Sequence, residues 1–234
     1  RRLYNKIKVP RKTTSLPEIL TSEEILRILN ALDNAKHRAL YALIYETGCR
    51  ISEALNLKIK DVSIDDYGIK IYFRKSKSEA RAVRVAIFSK ILLNWLNLHR
   101  KRDDPEAYLF YGRNPYQRMA RSNATLILKR AAKKAGIKKR VHPHILRHTR
   151  ATELYRFFKE LEMMRWFGWR TRKMIDVYSK ITQEDVDEKY IKKVVRVEAP
   201  INKENLIQVI KCSKCGTINP PGAKYCYNCG NKLI

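Results

Sequence analysis

The chain has 234 residues, enough for one full domain and a small appendage. Its 50 Lys and Arg against 23 Asp and Glu give a formal charge of +27, which points to a polyanionic partner, with nucleic acid the default. A supercharged surface or the lysine bias of a heat-adapted protein is the competing reading of that charge. No long uncharged apolar run is present, so no transmembrane helix and no membrane partner are expected, and no signal-peptide pattern is seen. Four of the five Cys lie close together near the C-terminus, which fits a reducing, cytoplasmic setting better than a secreted disulfide framework.

Residues 1–13 are basic, contain Pro10 and read as a linker. The first residue is Arg, not Met, so the chain is expected to be a piece of a longer protein. Thr21 and Glu24 form a capping box, followed by a helical apolar face of Ile25, Leu26, Ile28, Leu29 and Leu32. A second helix is expected over about 36–46, stopped by Gly48, with Arg50 just past the stop. A short helix from about Ser52 carries Glu53 and Leu55. The period then changes to alternation: Ile59, Val62 and Ile64 predict one strand, and Ile69, Ile71 and Phe73 a second beyond a turn at residues 65–68. After a polar loop at 75–79, residues 82–85 predict a third strand, completing a small three-stranded antiparallel sheet.

Helices dominate the remainder. Ser89 is expected to cap one that contains Leu92, Leu93, Trp95 and Leu96; residues 103–117 form a loop. Ser122 is expected to cap another, ending near Gly136, with Leu126, Ile127, Ala131 and Ala132 facing inward. Further helices are expected from about His144, Leu161, Thr171 and Glu184, and residues 195–210 form a linker or a last helix interrupted by Pro200. The class is α+β, mostly α.

The chemistry concentrates between His144 and Tyr178. With Pro143 opening a helix, His144 and Arg147 of HILRHT lie on one face of its first turn. A helix N-terminus already favours anions, so the added imidazole and guanidinium make a phosphate site. Arg50, in TGCRISEAL, supplies a second arginine. Together with GWRTRKMIDVY, in which Tyr178 follows Trp169 by nine residues, these segments resemble the catalytic domain of the tyrosine recombinases, also called the phage integrase family. The likeness covers about residues 14–195, and four boxes in the right order make it specific.

The resemblance implies a site-specific DNA recombinase or integrase that cleaves and rejoins double-stranded DNA through a 3′-phosphotyrosyl intermediate, without ATP or a catalytic metal. It implies a homo-tetramer acting on two duplexes. Residues 1–13 would join an N-terminal DNA-clamp domain to the catalytic domain at 14–195. Arg50 and Arg147 would hold phosphate oxygens in bidentate forks. Tyr178 would be the nucleophile. His144 would bond a phosphate oxygen or take the phenolic proton. Trp169 stands where most members have a second His; its indole can donate to phosphate but cannot shuttle a proton, and a core role beside Trp166 and Phe167 is the alternative. The leaving 5′ oxygen needs an acid, which the family places in the sheet loop; the SKS register favours Lys77 over Lys75. Glu53 would buttress an arginine or histidine. His142 has no evident partner, and His148 reads as a structural histidine. A type IB topoisomerase shares this chemistry, and a non-catalytic DNA-binding regulator on the same fold is the rival from another class.

Beyond a linker at 196–211, Cys212, Cys215, Cys226 and Cys229 are spaced C-x2-C-x10-C-x2-C. Two such knuckles can set four thiolates around one Zn²⁺, and residues 212–234 resemble a zinc ribbon. With every position filled by protein, that zinc is expected to be structural; two disulfides are the alternative. A ribbon on such a domain suggests an integrase of archaeal mobile-element type.

Overall fold

Helix α2 (Ala35–Thr47) runs through the middle of the larger of two units, and every residue from Ala39 to Thr47 is buried. The computed structural model describes residues 18–74, 79–175, 178, 210–219, 224–226 and 228–233. The chain divides into Arg1–Lys180 and Ile181–Ile234. Asn34 starts α2 by accepting the Lys36 amide at 2.9 Å. Gly48 ends it in the left-handed region, at φ 62°. A Cβ on Gly48 would lie 2.2 Å from a ring carbon of Phe167, so glycine also lets α7 (Glu160–Phe167) close against the end of α2.

Around α2 pack α1 (Ser22–Asn30), α4 (Ser89–Asn97), α5 (Arg121–Lys134) and α6 (Pro143–Tyr155). The expected capping box opens α1: Thr21 Oγ1 accepts the Glu24 amide at 3.1 Å and Glu24 accepts the Thr21 amide at 2.7 Å. Short α3 (Ile51–Leu55) follows α2. Three strands, β1 (Val62–Asp65), β2 (Gly68–Phe73) and β3 (Arg81–Val85), form an antiparallel sheet in that order. Val62 pairs with Ile71, Ile69 with Val85 and Phe73 with Arg81. Ile69, Ile71 and Phe73 turn inward from β2, and Arg81, Val83 and Val85 from β3. The mostly helical α+β class with a three-stranded antiparallel sheet is therefore as expected.

Several local expectations change. Ile59 belongs to a 3-10 turn (Ile59–Asp61), not to β1. Ser89 does not cap α4; it is already helical. α4 has no side-chain cap; Glu46, buried within α2, instead holds the turn before it, its carboxylate accepting the amides of Ala86, Ile87 and Phe88 at 2.6, 2.7 and 2.8 Å. Ala120 precedes α5 without a side-chain cap, and Ser122 sits inside the helix. Leu128 is buried there whereas Leu126 is 45% exposed, and Leu26 of α1 is also exposed. Near Thr171 the described residues form only a 3-10 turn (Arg172–Met174). The basic segment 1–13, the lysine-bearing loop 75–78, the helix expected from Glu184 and most of 196–211 lie outside the described residues.

The described residues of the smaller unit form two knuckles of the same shape. Strands β4 (Ile210–Lys211) and β5 (Ile218–Asn219) pair antiparallel. Gly216 donates to the Cys212 carbonyl at 2.9 Å and Gly230 to the Cys226 carbonyl at 2.8 Å. Both glycines have positive φ, 73° and 71°, which the tight return of the chain after each Cys pair requires.

No described helix is long and apolar enough to cross a membrane.

Candidate active site

Helix α6 carries most of the site. Pro143 stands at its first position, and His142 before it caps the helix by accepting the Ile145 amide on Nδ1 at 3.2 Å. His142 thus has a structural partner that no pattern in its neighbourhood announced. His144, Arg147 and His148, at i, i+3 and i+4, then share one helix face.

Arg147 is 1% exposed. Its Nη1 donates to the Gly48 carbonyl at 2.6 Å and its Nη2 to the Phe167 carbonyl at 3.2 Å. Both carbonyls sit at helix C-termini, of α2 and α7, where the helix dipole favours a cation. The guanidinium lies 5.2 Å from the Phe167 ring centre and 5.9 Å from that of Trp169. Burial, then Arg50, pushes its pKa down to about 10, which leaves it charged at neutral pH.

Arg50 follows Gly48 by two residues and opens α3. Its amide donates to Glu53 Oε2 at 2.7 Å, and its Nη1 lies 3.7 Å from Glu53 Oε1. That Nη1 is buried with no hydrogen-bond partner among the described residues. Glu53 is bound more tightly by Arg81, whose Nη1 and Nη2 reach the two carboxylate oxygens at 3.1 and 3.0 Å. Arg81 Nε also donates to the Trp166 carbonyl at 2.8 Å. A buried fork therefore ties α3 to β3 and α7. Arg81 was not singled out from sequence, although its phase with Val83 and Val85 puts an arginine on the inner face of a strand. The inner layer so far holds Arg50, Arg81 and Arg147 against the carboxylate of Glu53, an excess of positive charge suited to an anion.

Trp169 and Tyr178 close the site from the other side. Trp169, 4% exposed, stacks between Phe167 at 4.9 Å and Tyr178 at 5.5 Å, with interplanar angles of 17° and 5°. Trp169 packs in an aromatic layer, and its buried Nε1 has no hydrogen-bond partner among the described residues. Tyr178 is 6% exposed, and burial pushes its phenol up to about 12, against the pull of Arg147. Its hydroxyl lies 2.6 Å from Nδ1 of His148. His148, read from the sequence as structural, is set against the hydroxyl of Tyr178; the i+4 spacing from His144 was the available signal for its place on this face. His144 meets the His148 ring edge-to-face at 4.4 Å. It presents an exposed edge, yet the enclosure of its inner side, then His148, Arg147, His142 and Arg50, holds its imidazole well below the usual range.

The sheet loop is fastened to this region at its C-terminal end. The Glu79 amide donates to the Gly168 carbonyl at 3.2 Å, and Arg170 Nε pairs with Glu79 Oε1 at 2.8 Å. Lys75 and Lys77, just before it, lie outside the described residues. A groove of about 460 Å³ along α5, lined by Arg121, Ser122, Thr125, Leu126 and Lys129, contains none of the site residues.

In the smaller unit the sulfur atoms of Cys212, Cys215, Cys226 and Cys229 all lie within 4.8 Å of one another. The Cys212–Cys229 and Cys215–Cys226 sulfurs are 3.6 Å apart. That is too far for a disulfide, at about 2.05 Å. It is close to the sulfur separation of about 3.8 Å in a tetrahedron with zinc–sulfur bonds of about 2.3 Å. The donor set fits a structural metal. Cys49, next to Arg50, is buried in the core.

A model of the phage integrase family matches residues 18–185, and a zinc-ribbon domain model matches residues 211–233. The tyrosine recombinase XerA of Pyrococcus horikoshii is 30% identical over 187 residues, which are 78% of this chain and 64% of that protein. The chain therefore spans less than two thirds of that relative's length. A crystal structure of XerA recombinase superposes with a TM-score of 0.65 at 28% identity, covering 82% of this chain and 69% of that one. XerH, solved as a pre-cleavage complex bound to its difH substrate, shares the fold at a TM-score of 0.63 and 24% identity, over 76% of this chain and 55% of that one. The family match runs through Arg50, α6 and Tyr178 without a break, and the chain belongs to the phage integrase family.

Proposed function

We propose that this chain is the catalytic part of a site-specific DNA recombinase that cuts and rejoins DNA through a 3′-phosphotyrosyl bond. One observation carries the reading: Arg50 Nη1 and Trp169 Nε1, donors with no hydrogen-bond partner among the described residues, are buried in the same positively charged layer that holds Tyr178. Buried donors without partners are costly, and an anionic phosphate oxygen would satisfy them. Arg50 and Arg147 hold the non-bridging oxygens; Arg147 keeps further N–H groups after its two carbonyl bonds. His144, on the exposed edge, and Trp169 add donors. Tyr178 attacks phosphorus, and Lys77, or Lys75 two residues away, protonates the leaving 5′ oxygen. The phosphotyrosyl bond conserves the energy of the broken phosphodiester, so rejoining needs no ATP.

Glu53 keeps Arg50 in place from behind. Four chains act as a tetramer on two duplexes in the cytoplasm, with residues 1–13 as linker, 14–195 as catalytic domain and 196–211 as a second linker. In residues 212–234 the four Cys hold one structural Zn²⁺, and the pairing of the two parts is that of an archaeal mobile-element integrase. XerA and XerH are recombinases by name, and XerH is seen on its DNA substrate, which supports the reading.

Incubated with a pool of nicked duplexes of randomised sequence, the chain should form a protein–DNA adduct that survives denaturation. Tyr178→Phe should bind the same DNA, since affinity comes chiefly from phosphate contacts, and form no adduct. An adduct of wild-type yield from that variant would remove Tyr178 from the role.

A further inference from the structure

We propose that His148 is the proton acceptor for Tyr178, a role that rests on the reading of Tyr178 as nucleophile. The hydroxyl and Nδ1 are 2.6 Å apart, a short hydrogen bond. With the ring hydrogen on Nε2 the phenol donates and Nδ1 accepts, and that tautomer leaves Nδ1 free to take the proton. The acceptor is held rigidly. It stands one residue beyond Arg147, which two main-chain carbonyls clamp, on a helix whose first turn is fixed by His142. No described bond joins His144 to Tyr178; it lies against the far side of this pair, edge-to-face on the His148 ring. The arrangement separates two tasks: His144 faces the phosphate from the exposed edge, and His148 faces the nucleophile.

The titratable and charged groups around the His148 ring, among the described residues, are His142, His144 and Arg147 of α6 and Tyr178 across from it. Burial, then His142 and Arg147, lowers the His148 pKa, so it is neutral and able to accept at neutral pH. Tyr178 is a weak acid here, so the proton stays on the phenol until attack begins. Bond formation to phosphorus draws charge from the phenolic oxygen and releases the proton. An anionic phosphate beside the imidazole makes it more basic at the same moment. The step balances: the Tyr178 oxygen–phosphorus bond forms, the phosphorus–5′ oxygen bond breaks, the phenolic proton goes to His148 Nδ1, and the 5′ oxygen takes a proton from the loop lysine. Rejoining runs the same transfers backwards, with the imidazolium returning the proton to the departing phenol.

The test uses the full chain and the nicked duplexes selected above, with His148→Ala and His148→Asn. The Asn oxygen can occupy the place of Nδ1 and accept the hydrogen bond, but it cannot take the proton. Thermal melting and DNA binding establish that each variant is folded. Both variants should form the adduct slower by about 10²- to 10⁴-fold, the usual worth of a positioned base. The wild-type rate should fall on acidification as Nδ1 protonates, and both variants should lose that acid limb. Near wild-type cleavage by His148→Asn would make the contact one of position only and overturn the proposal. Faster cleavage by His148→Ala would overturn it too, by showing that the bond restrains Tyr178. Adduct formation by Tyr178→Phe would instead remove the underlying nucleophile assignment.

Discussion

Among the described residues of Arg1–Lys180 the inward faces of α1–α6 and the sheet supply an apolar core centred on α2, and α6 and α7 with Trp169, Ile175 and Tyr178 a second, smaller one. In Ile181–Ile234, by contrast, Cys212, Asn219 and Cys226 are the buried residues among those described. The first unit holds its shape by removing apolar surface from water. The described residues of the second bring four sulfurs together with few buried side chains, and a metal at those sulfurs would supply stability that the core does not. The difference also governs where chemistry can sit. Arg147, Glu53 and Arg81 keep fixed positions because a packed core surrounds them. The four thiolates would leave a bound metal no open coordination site.

The sharpest break of this contrast is metal removal. Chelation, or Cys226→Ser, should unfold the ribbon outright, because zinc binding in such units is worth about 10–16 kcal/mol at neutral pH. The melting transition of the larger unit should stay where it is. Elemental analysis and amide exchange would check this; a ribbon that stays protected without zinc would break the comparison.

Within the larger unit the greatest single loss should follow Glu53→Ala. It leaves the buried Arg81 guanidinium without its carboxylate, which costs about 3–5 kcal/mol for a buried pair. Urea unfolding measures it, and an effect below 1 kcal/mol would mean that water replaces the pair. On α5, Leu128→Ala should cost about 2–5 kcal/mol and Leu126→Ala within about 0.5 kcal/mol. Equal losses would show that the inward face of α5 is not the one described.

A smaller effect than loss of the buried groups should come from pH. His144 and His148 have lowered pKa values in the folded chain, so between the unfolded value near 6.5 and their own folded values the unfolded chain binds more protons. Stability should be fully present above pH 6.5 and decline as pH falls below it, read as a modest drop in melting temperature between pH 7.5 and 5.5. A rise over that interval would mean that the imidazoles gain a partner when protonated.

Local chemistry made much of this legible in advance. Thr21 and Glu24 marked the start of α1, Gly48 the end of α2, and the alternation at 69, 71 and 73 the inward face of β2. Cysteine spacing alone singled out four residues whose sulfurs do cluster. The spacing of His144 and Arg147 put them on one helix face before any fold was known. These features work over a few residues, where backbone geometry fixes which neighbours can meet.

Other features were decided only by docking. Glu46 holds the turn that leads into a helix some forty residues away, so no pattern near Ser89 could reveal it. Leu126 and Leu128 are equally apolar, and the sequence fits either as the inward residue until α1, α2 and α3 pack against α5. Arg81 meets Glu53 across 28 positions, and His148 meets Tyr178 across 30. In each case the side chain is unremarkable where it stands in the chain. Its role comes from a partner brought close by burial of other residues, because hydrogen bonds and charge pairs depend on distances of a few ångströms that periodicity along the chain does not encode.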